Sequence, residues 1–418
     1  MFLDILVFGH AILNKREVSM IERKEYMDML IGYRDKHVIK IVTGIRRCGK
    51  STLLELFQRH LMDSGVKREN IISINFEDYD NNRLCDPVTL HGYIKAQMAD
   101  SGKTYIFLDE IQNVPEFQRV VDSLYLRRNL DIYLTGSNAW LLSGDLATLL
   151  SGRYVEIEML PLSFREFVTS TGEGDLSRQY TEYLEFSSFP GALEFSGNQK
   201  HILGYLQGVY DSVVLKDIVG RYNISDTMML ESLLRFTFDN IGNQLSTKSI
   251  GNVMNADSRK IDVKTVERYL KALMDSYILY QAKRYNIKGK QYLKTLEKYY
   301  AVDVGMRYLL LGKRGADVGH ILENVVYLEL LRRGYQVYIG KVDNLEVDFV
   351  AMDQSGQQYF QVAATVREQA TLERELASLR KISDHYPKYI LTLDDDPEAD
   401  YDGIKKLRVL DWLMGFHA

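Results

Sequence analysis

GIRRCGKST occupies residues 44–52 and matches the spacing G-x-x-x-x-G-K-[ST] at every fixed position. Each of those positions answers a physical demand. Gly44 and Gly49 let successive backbone N–H groups turn toward a phosphate with no Cβ in the way, Lys50 reaches the β- and γ-phosphates, and the Ser51 hydroxyl is placed for Mg²⁺. From background composition the pattern arises by chance in roughly one chain in a hundred of this length. Its surroundings favour the chemical reading further: VIKIVT (38–43) reads as a strand before it, and STLLELFQRHL (51–61) as a helix after it. The stretch Gly44, Ile45, Arg46, Arg47, Cys48, Gly49, Lys50, Ser51 and Thr52 is therefore expected to cradle the phosphates of a nucleotide. The side chains of Arg46, Arg47 and Cys48 have no role in the pattern; the two arginines face the nucleotide, a partner subunit or neighbouring carboxylates.

YIFLDE (105–110) supplies an independent element about 60 residues on. Asp109 ends an apolar strand, where its carboxylate can hold Mg²⁺ directly or through water, and Glu110 can polarise the water that attacks a γ-phosphate. Alone, two acids at a strand end read equally well as a solvated edge; together with the phosphate loop they point to nucleotide hydrolysis. LTGSNA (134–139) places Ser137 and Asn138 at the end of the next strand, either as a γ-phosphate sensor or as a cap for the following helix. Arg153, before YVEIEML (154–160), is either a charge-neutralising finger, within one chain or between chains, or an ordinary ion-pair residue.

Strand-like runs at 38–44, 71–78, 105–110, 131–137 and 154–160 alternate with amphipathic stretches, the pattern of a parallel sheet with right-handed crossovers and helices on both faces. After residue 167 the strands stop; TSTGEGD (169–175) reads as a polar loop, and helices follow to about residue 240. Two helices within 246–279, then a hairpin over 280–303 with Lys and Gly at its tip, give the layout of a winged helix-turn-helix. The last hundred residues return to mixed α/β, with a helix over 321–334, strands at 336–341, 345–352 and 357–366, and a helix at 372–383.

A chain of 418 residues is long for one core and suggests two to four domains. The net charge of -5 gives no global pull toward nucleic acid or anionic membrane. One local segment runs the other way: residues 281–314 hold nine Lys or Arg against Glu297 and Asp303, interleaved with Tyr285, Tyr292, Tyr299 and Tyr300. Such a segment fits phosphate-backbone binding with a steep salt dependence, or a solvated hairpin over packed tyrosines. The two cysteines, Cys48 and Cys85, suit a reducing cytoplasm, since a disulfide at Cys48 would distort the phosphate loop. Residues 1–19 carry an apolar run broken by Asp4, with no basic residue ahead of it and no small-residue cleavage site, and read as a poorly ordered extension rather than a signal peptide. No run of about eighteen apolar residues predicts a membrane span.

The four ordered segments GIRRCGKST, DEIQNV, LTGSNA and SGRYVEIEMLPLSFREF resemble the bacterial and archaeal AAA-type P-loop ATPases that carry a C-terminal domain of unknown function. The resemblance implies an additional-strand ATPase core using ATP and Mg²⁺, with Lys50 and Ser51 as Walker A, Asp109 and Glu110 as Walker B, Ser137 or Asn138 as sensor and Arg153 as finger. It also implies that the C-terminal part is similar to the PD-(D/E)XK nuclease fold. That site needs carboxylates converging on a metal and a lysine near the attacking water. Glu323 and Asp348 fill two places; Gln361 stands where a carboxylate is usual and Ala363 where the lysine would be, so a binding or scaffold role is expected there.

The expected organisation is a P-loop core over 20–168, a helical lid or linker over 169–240, a winged helix over 241–315 and a nuclease-like α/β domain over 316–418. The expected activity is Mg²⁺-dependent ATP hydrolysis driving a switch or motor movement. Two alternatives stand beside it: a nucleic-acid-binding regulator for which ATP is only a conformational ligand, and a metal-dependent nuclease. A protein partner at the C-terminal domain and an oligomer are also compatible with the sequence.

Overall fold

The computed structural model describes residues 21–99, 102–139, 150–172, 174–256, 261–313 and 317–416. The extension expected over residues 1–19 and the cation at Arg314 lie outside the described residues. Five strands, β1 Ile39–Thr43, β2 Ile71–Asn75, β3 Thr104–Asp109, β4 Leu130–Gly136 and β5 Tyr154–Glu158, form one sheet in the order β2-β3-β4-β1-β5. Every pairing in it is parallel.

Both faces of this sheet are covered, which is why its strands read as near-continuous apolar runs rather than alternating ones. Val42, Phe107 and Tyr133 pack with Leu53, Leu54 and Phe57 of helix Lys50–Asp63 on one face. Ile41, Ile106, Leu108, Ile132 and Leu134 pack on the other, against Leu90 and Ile94 of helix Pro87–Gln97 and Val120, Val121 and Leu124 of helix Phe117–Tyr125. β4 is inserted between β1 and β3, so the C-terminal ends of all three lie side by side: Thr43 is opposite Gly136, and Leu108 opposite Leu134.

Helices Leu176–Phe186, Gln199–Ser212 and Thr227–Asp239 and the π-helical stretch Val213–Val219 follow the core, as the loss of strand pattern predicts. The loop expected over 169–175 begins later. Helix Phe164–Thr171 runs through its first three residues, fastened at its start by a reciprocal Ser163–Glu166 capping box and ended by Gly172 at φ 92°.

Beyond them, β6 Gln244–Leu245, helices Thr247–Ala256 and Val263–Asp275, β7 Leu279–Asn286 and β8 Gln291–Ala301 lead into helices Val304–Leu311 and Val318–Arg332. The remaining strands are β9 Gln336–Val342, β10 Leu345–Asp353, β11 Gly356–Ala363, β12 Lys388–Thr392, β13 Ala399–Tyr401 and β14 Ile404–Arg408, with helices Gln369–Arg380 and Val409–Leu413. β6 through β14 share one nine-stranded sheet, ordered β13-β14-β12-β11-β10-β9-β7-β8-β6. Parallel pairing of β7 with β9, Tyr285 opposite Gly340, carries that sheet across the division expected at 315/316. The hairpin is thus built into the C-terminal sheet. One buried apolar cluster runs from Tyr26 through Phe189, Leu234 and Tyr300 to Leu413, so core, middle helices and C-terminal sheet pack as neighbours.

Among the described residues, no helix is long and apolar enough to cross a membrane.

Candidate functional site

The parallel register brings the end of β1, the end of β3 and the end of β4 to one edge. Between β1 and helix Lys50–Asp63 the chain turns through Gly44 at φ 138°, Arg47 at φ 69° and Gly49 at φ 106°. A Cβ at Gly44 would run into the backbone carbonyl oxygen of Met159, so the turn needs glycine for space as well as for φ. Lys50 Nζ donates to the carbonyl oxygens of Gly44 at 2.9 Å and Ile45 at 3.2 Å, and stands 3.8 Å from Glu110 Oε1.

Asp109 and Glu110 are both buried. Asp109 accepts from the Thr135 and Ser51 hydroxyls, and burial still holds its carboxyl above the ordinary Asp range. Ser51 and Asp109 thus present two hard oxygen donors side by side at the mouth of the phosphate loop, a donor set suited to Mg²⁺. Glu110 has φ 53°, an uncommon conformation for a residue with a Cβ, held by its N–H bond to Thr135 Oγ1 at 2.8 Å. Burial pushes the Glu110 carboxyl up, but Lys50 and Arg46, with bonds from Gln112 and Ser137, outweigh it and leave the group below the ordinary Glu range.

Of the two sensor candidates, Ser137 is the one bonded to Glu110. Asn138 turns the other way: its Nδ2 donates to the Asp217 backbone carbonyl and to Ser276 Oγ, each at 3.4 Å. Arg46 pairs with Glu77 and, at 3.1 Å, with the buried Asp217. Arg153 is not brought to the site. Its carbonyl accepts from Ile39 N at the start of β1, and its guanidinium pairs with Asp122 and lies 5.5 Å from the Tyr125 ring centre. The length of a five-residue strand, roughly 15 Å, separates it from Gly44.

Several residues of this region carry no motif. Thr135, the clamp on both acids, is legible only as a polar residue late in an apolar strand. Arg23 is buried and donates to the carbonyl oxygens of Cys48 at 2.9 Å and Leu160 at 2.6 Å, bracing the phosphate loop from behind. The middle segment adds a wall: Pro190, Phe195 and Tyr205, with Ile21, line a cleft of about 600 Å³ shared with Lys50, Ser51 and Glu110. A Cβ at Gly191 would fall 2.5 Å from the Tyr205 hydroxyl, so glycine lets this wall close up.

Four of the nine cations of the basic segment 281–314 are spent on internal pairs. Lys298 and Arg307 are buried, Arg307 on Asp317 at 2.6 Å, while Lys288 pairs with Asp343 at 2.8 Å and Lys313 with Glu185. Tyr299 and Tyr300 are core residues; Tyr292 is exposed and tilts against Tyr285 and Tyr338.

The second expected cluster does assemble, with an addition. Asp348 Oδ2 accepts from Val362 N at 2.8 Å, Gln361 Oε1 accepts from Asp348 N at 2.7 Å, and Gln361 Nε2 donates to Glu375 at 2.7 Å. Lys298 Nζ reaches in from β8, 2.8 Å from Glu323 and 2.7 Å from Glu346. Burial works against its charge, yet Glu323, Asp348 and Glu346 hold it above the ordinary lysine range. Asp348 is held well above the usual carboxylate range by burial and by Glu323. Among the described residues, no group of three or more His, Cys, Asp or Glu is arranged to hold a metal ion.

A parallel sheet with a strand inserted between its phosphate-loop strand and its acidic strand, and this set of side chains at its edge, defines a nucleotide-binding ATPase core. The family described as AAA domain matches residues 36–168, and a domain of unknown function (DUF8612) matches residues 177–317. A Haemophilus influenzae protein described only as uncharacterized is 40% identical over 401 residues, 95% of this chain and 99% of its own. An uncharacterized protein of Methanocaldococcus jannaschii is 29% identical over 364 residues, 82% of this chain and 78% of its own. Among solved structures, the Orc1 protein of Aeropyrum pernix in complex with DNA is similar at 11% identity and a TM-score of 0.29, over 69% of this chain and 91% of that one. The chain belongs to this family of AAA-type P-loop proteins, in which the ATPase domain is joined to a domain of unknown function. The matched domain of unknown function lies on the middle segment, ahead of the C-terminal strands.

Proposed function

We propose that this protein is a Mg²⁺-dependent ATPase whose nucleotide state moves the middle helices and the sheet packed on its core. The observation that carries the reading is the convergence of Lys50, Ser51 and Glu110 on one cleft at the C-terminal edge of the parallel sheet, with Asp109 bonded to Ser51. Lys50 exchanges its bonds to the loop carbonyls for the β- and γ-phosphates. Ser51 and Asp109 would hold Mg²⁺, which when bound would neutralise charge on the phosphate oxygens. Glu110, ionised and fixed by Thr135, Gln112 and Ser137, orients and polarises the attacking water. The apolar wall of Ile21, Pro190, Phe195 and Tyr205 suits a purine base, with the family resemblance supplying adenine.

We read residues 241–315 as a winged helix and 316–418 as a nuclease-like scaffold that takes a protein partner. Pairing of Lys288, Lys298, Arg307 and Lys313 with acids supports that over a nucleic-acid regulator. Arg153, at the far end of the sheet and paired with Asp122, could meet a γ-phosphate only in a neighbouring copy. Two free cysteines suit a cytoplasmic setting. Melting the protein with and without Mg-ATP, alongside phosphate release, tests the reading; no shift and no phosphate would sink it.

A further inference from the structure

Arg46 stands between two clefts. It lines the nucleotide cleft with Lys50 and Glu110, and also an adjoining polar cleft of about 520 Å³ with Arg47, Asp217 and Arg221. It belongs to the phosphate loop, yet its guanidinium is turned outward onto two carboxylates: Asp217 at 3.1 and 3.4 Å, and Glu77. Asp217 is 1% exposed, so as an ion it needs a cation beside it. It has two. Arg221 Nη2 lies 3.6 Å away, and Arg221 Nη1 is a buried donor without a hydrogen-bond partner. Removing Arg46 from Asp217 would therefore leave the carboxylate neutralised by Arg221, and would give the unsatisfied Nη1 an acceptor to close on. Few buried ion pairs can be opened on those terms.

Among the described residues, Arg23, Arg46 and Arg47 line the cleft beside Lys50, and Arg23 is spent on the Cys48 and Leu160 carbonyls and on Glu166. Lys50 is assigned to the phosphates and Arg153 is at the opposite end of the sheet, whereas Arg46 lines the same cleft as Glu110.

We infer that Arg46 is the residue that contacts the γ-phosphate within its own chain, exchanging Asp217 for it when ATP binds, with Asp217 as the positioning residue that holds Arg46 in ADP-bound and nucleotide-free protein. This rests on the ATPase reading above. It adds a route for the signal, because the same residue of the π-helical stretch Val213–Val219 is touched from the loop by Arg46 and from the sensor strand by Asn138. π-Helical turns inside helices are frequent at functional sites.

The test is a pair of affinities, for a non-hydrolysable ATP analogue and for ADP, measured by titration calorimetry with Mg²⁺ on the full chain. Arg46→Ala should weaken the analogue at least tenfold and leave ADP within about twofold, since the Asp217 and Glu77 pairs are lost with or without ADP and only the charge-assisted bonds to the γ-phosphate depend on which nucleotide is bound. Asp217→Asn, nearly isosteric and still beside Arg221, should tighten the analogue several-fold with ADP unmoved, which a merely structural ion pair would not do. Arg46→Lys, with a melting curve for each variant, separates loss of folding from loss of contact, and should recover part of the analogue affinity. If Arg46→Ala shifts both nucleotides alike or neither, or Asp217→Asn fails to tighten the analogue, the exchange is overturned while the ATPase reading stands. Wild-type protein that binds neither nucleotide overturns both.

Discussion

Lys50 Nζ stands 3.8 Å from Glu110 Oε1 while donating to the carbonyls of Gly44 and Ile45, so one cation ties the phosphate loop to the carboxylate on the neighbouring strand. The two residues nonetheless have separable roles. Lys50→Ala removes the charge that meets the phosphates and should abolish measurable ATP binding. Glu110→Gln keeps the shape and the loop, and should bind Mg-ATP while losing turnover by about 10²–10⁴-fold, the usual worth of a positioned base. Nucleotide titration and phosphate release on the two variants check this; equal loss of binding in both would contradict the assignment.

The same pair sets a pH dependence. Burial raises the Glu110 carboxyl, Lys50 and Arg46 lower it, and the net direction is down from 4.5. A carboxyl depressed on folding stabilises the native state above its unfolded value, and that stability is lost as pH falls through the folded one. Wild type should therefore melt above Glu110→Gln at pH 7, with the gap closing only below about 4.5. A gap that closes between pH 5 and 7 would mean that burial, not Lys50 and Arg46, governs the group.

The phosphate loop and both acids were legible because chemistry demands those residue types at fixed spacing, and the strands because burial on both faces writes apolar runs into the sequence. Three kinds of feature were not. Strands β12 to β14 are short, and neither Lys388–Thr392 nor Ile404–Arg408 carries a pattern longer than a loop could. Thr135, Arg23 and Asp217 act through partners 26, 137 and 171 positions away, so no local pattern can announce them. Charge counting over 281–314 could not see which way each side chain points. Lys298 looks like surface and is 4% exposed, because β8 turns that side toward helix Val318–Arg332.

That lysine yields its own prediction. Lys298 is the cation for Glu323 and Glu346, with Asp348 near, and Tyr300 donates to Glu323 at 2.6 Å. Lys298→Met strands the buried Glu323 carboxylate and should cost about 3–5 kcal/mol, read as a lower urea midpoint at unchanged slope. The wild-type protein should leave double- and single-stranded DNA uncut with Mg²⁺ or Mn²⁺. Cleavage that vanishes in Asp348→Ala would instead make this cluster a working nuclease site, with Lys298 in place of the lysine that Ala363 lacks.

Arg153 supplies the last test. Paired with Asp122 and half-exposed, it contributes at most about 1 kcal/mol to stability, and it starts the strand whose far end meets the phosphate loop. Within one chain it has no path to the γ-phosphate. At dilutions where the protein is monomeric, confirmed by light scattering, Arg153→Ala and wild type should hydrolyse ATP at the same rate per chain. A difference that emerges only at concentrations where copies associate would give Arg153 a role in the neighbour's site. A slower variant in the monomer would require β5 to leave its place beside β1, which hydrogen exchange at Ile39 N, donor to the Arg153 carbonyl at 2.8 Å, would reveal.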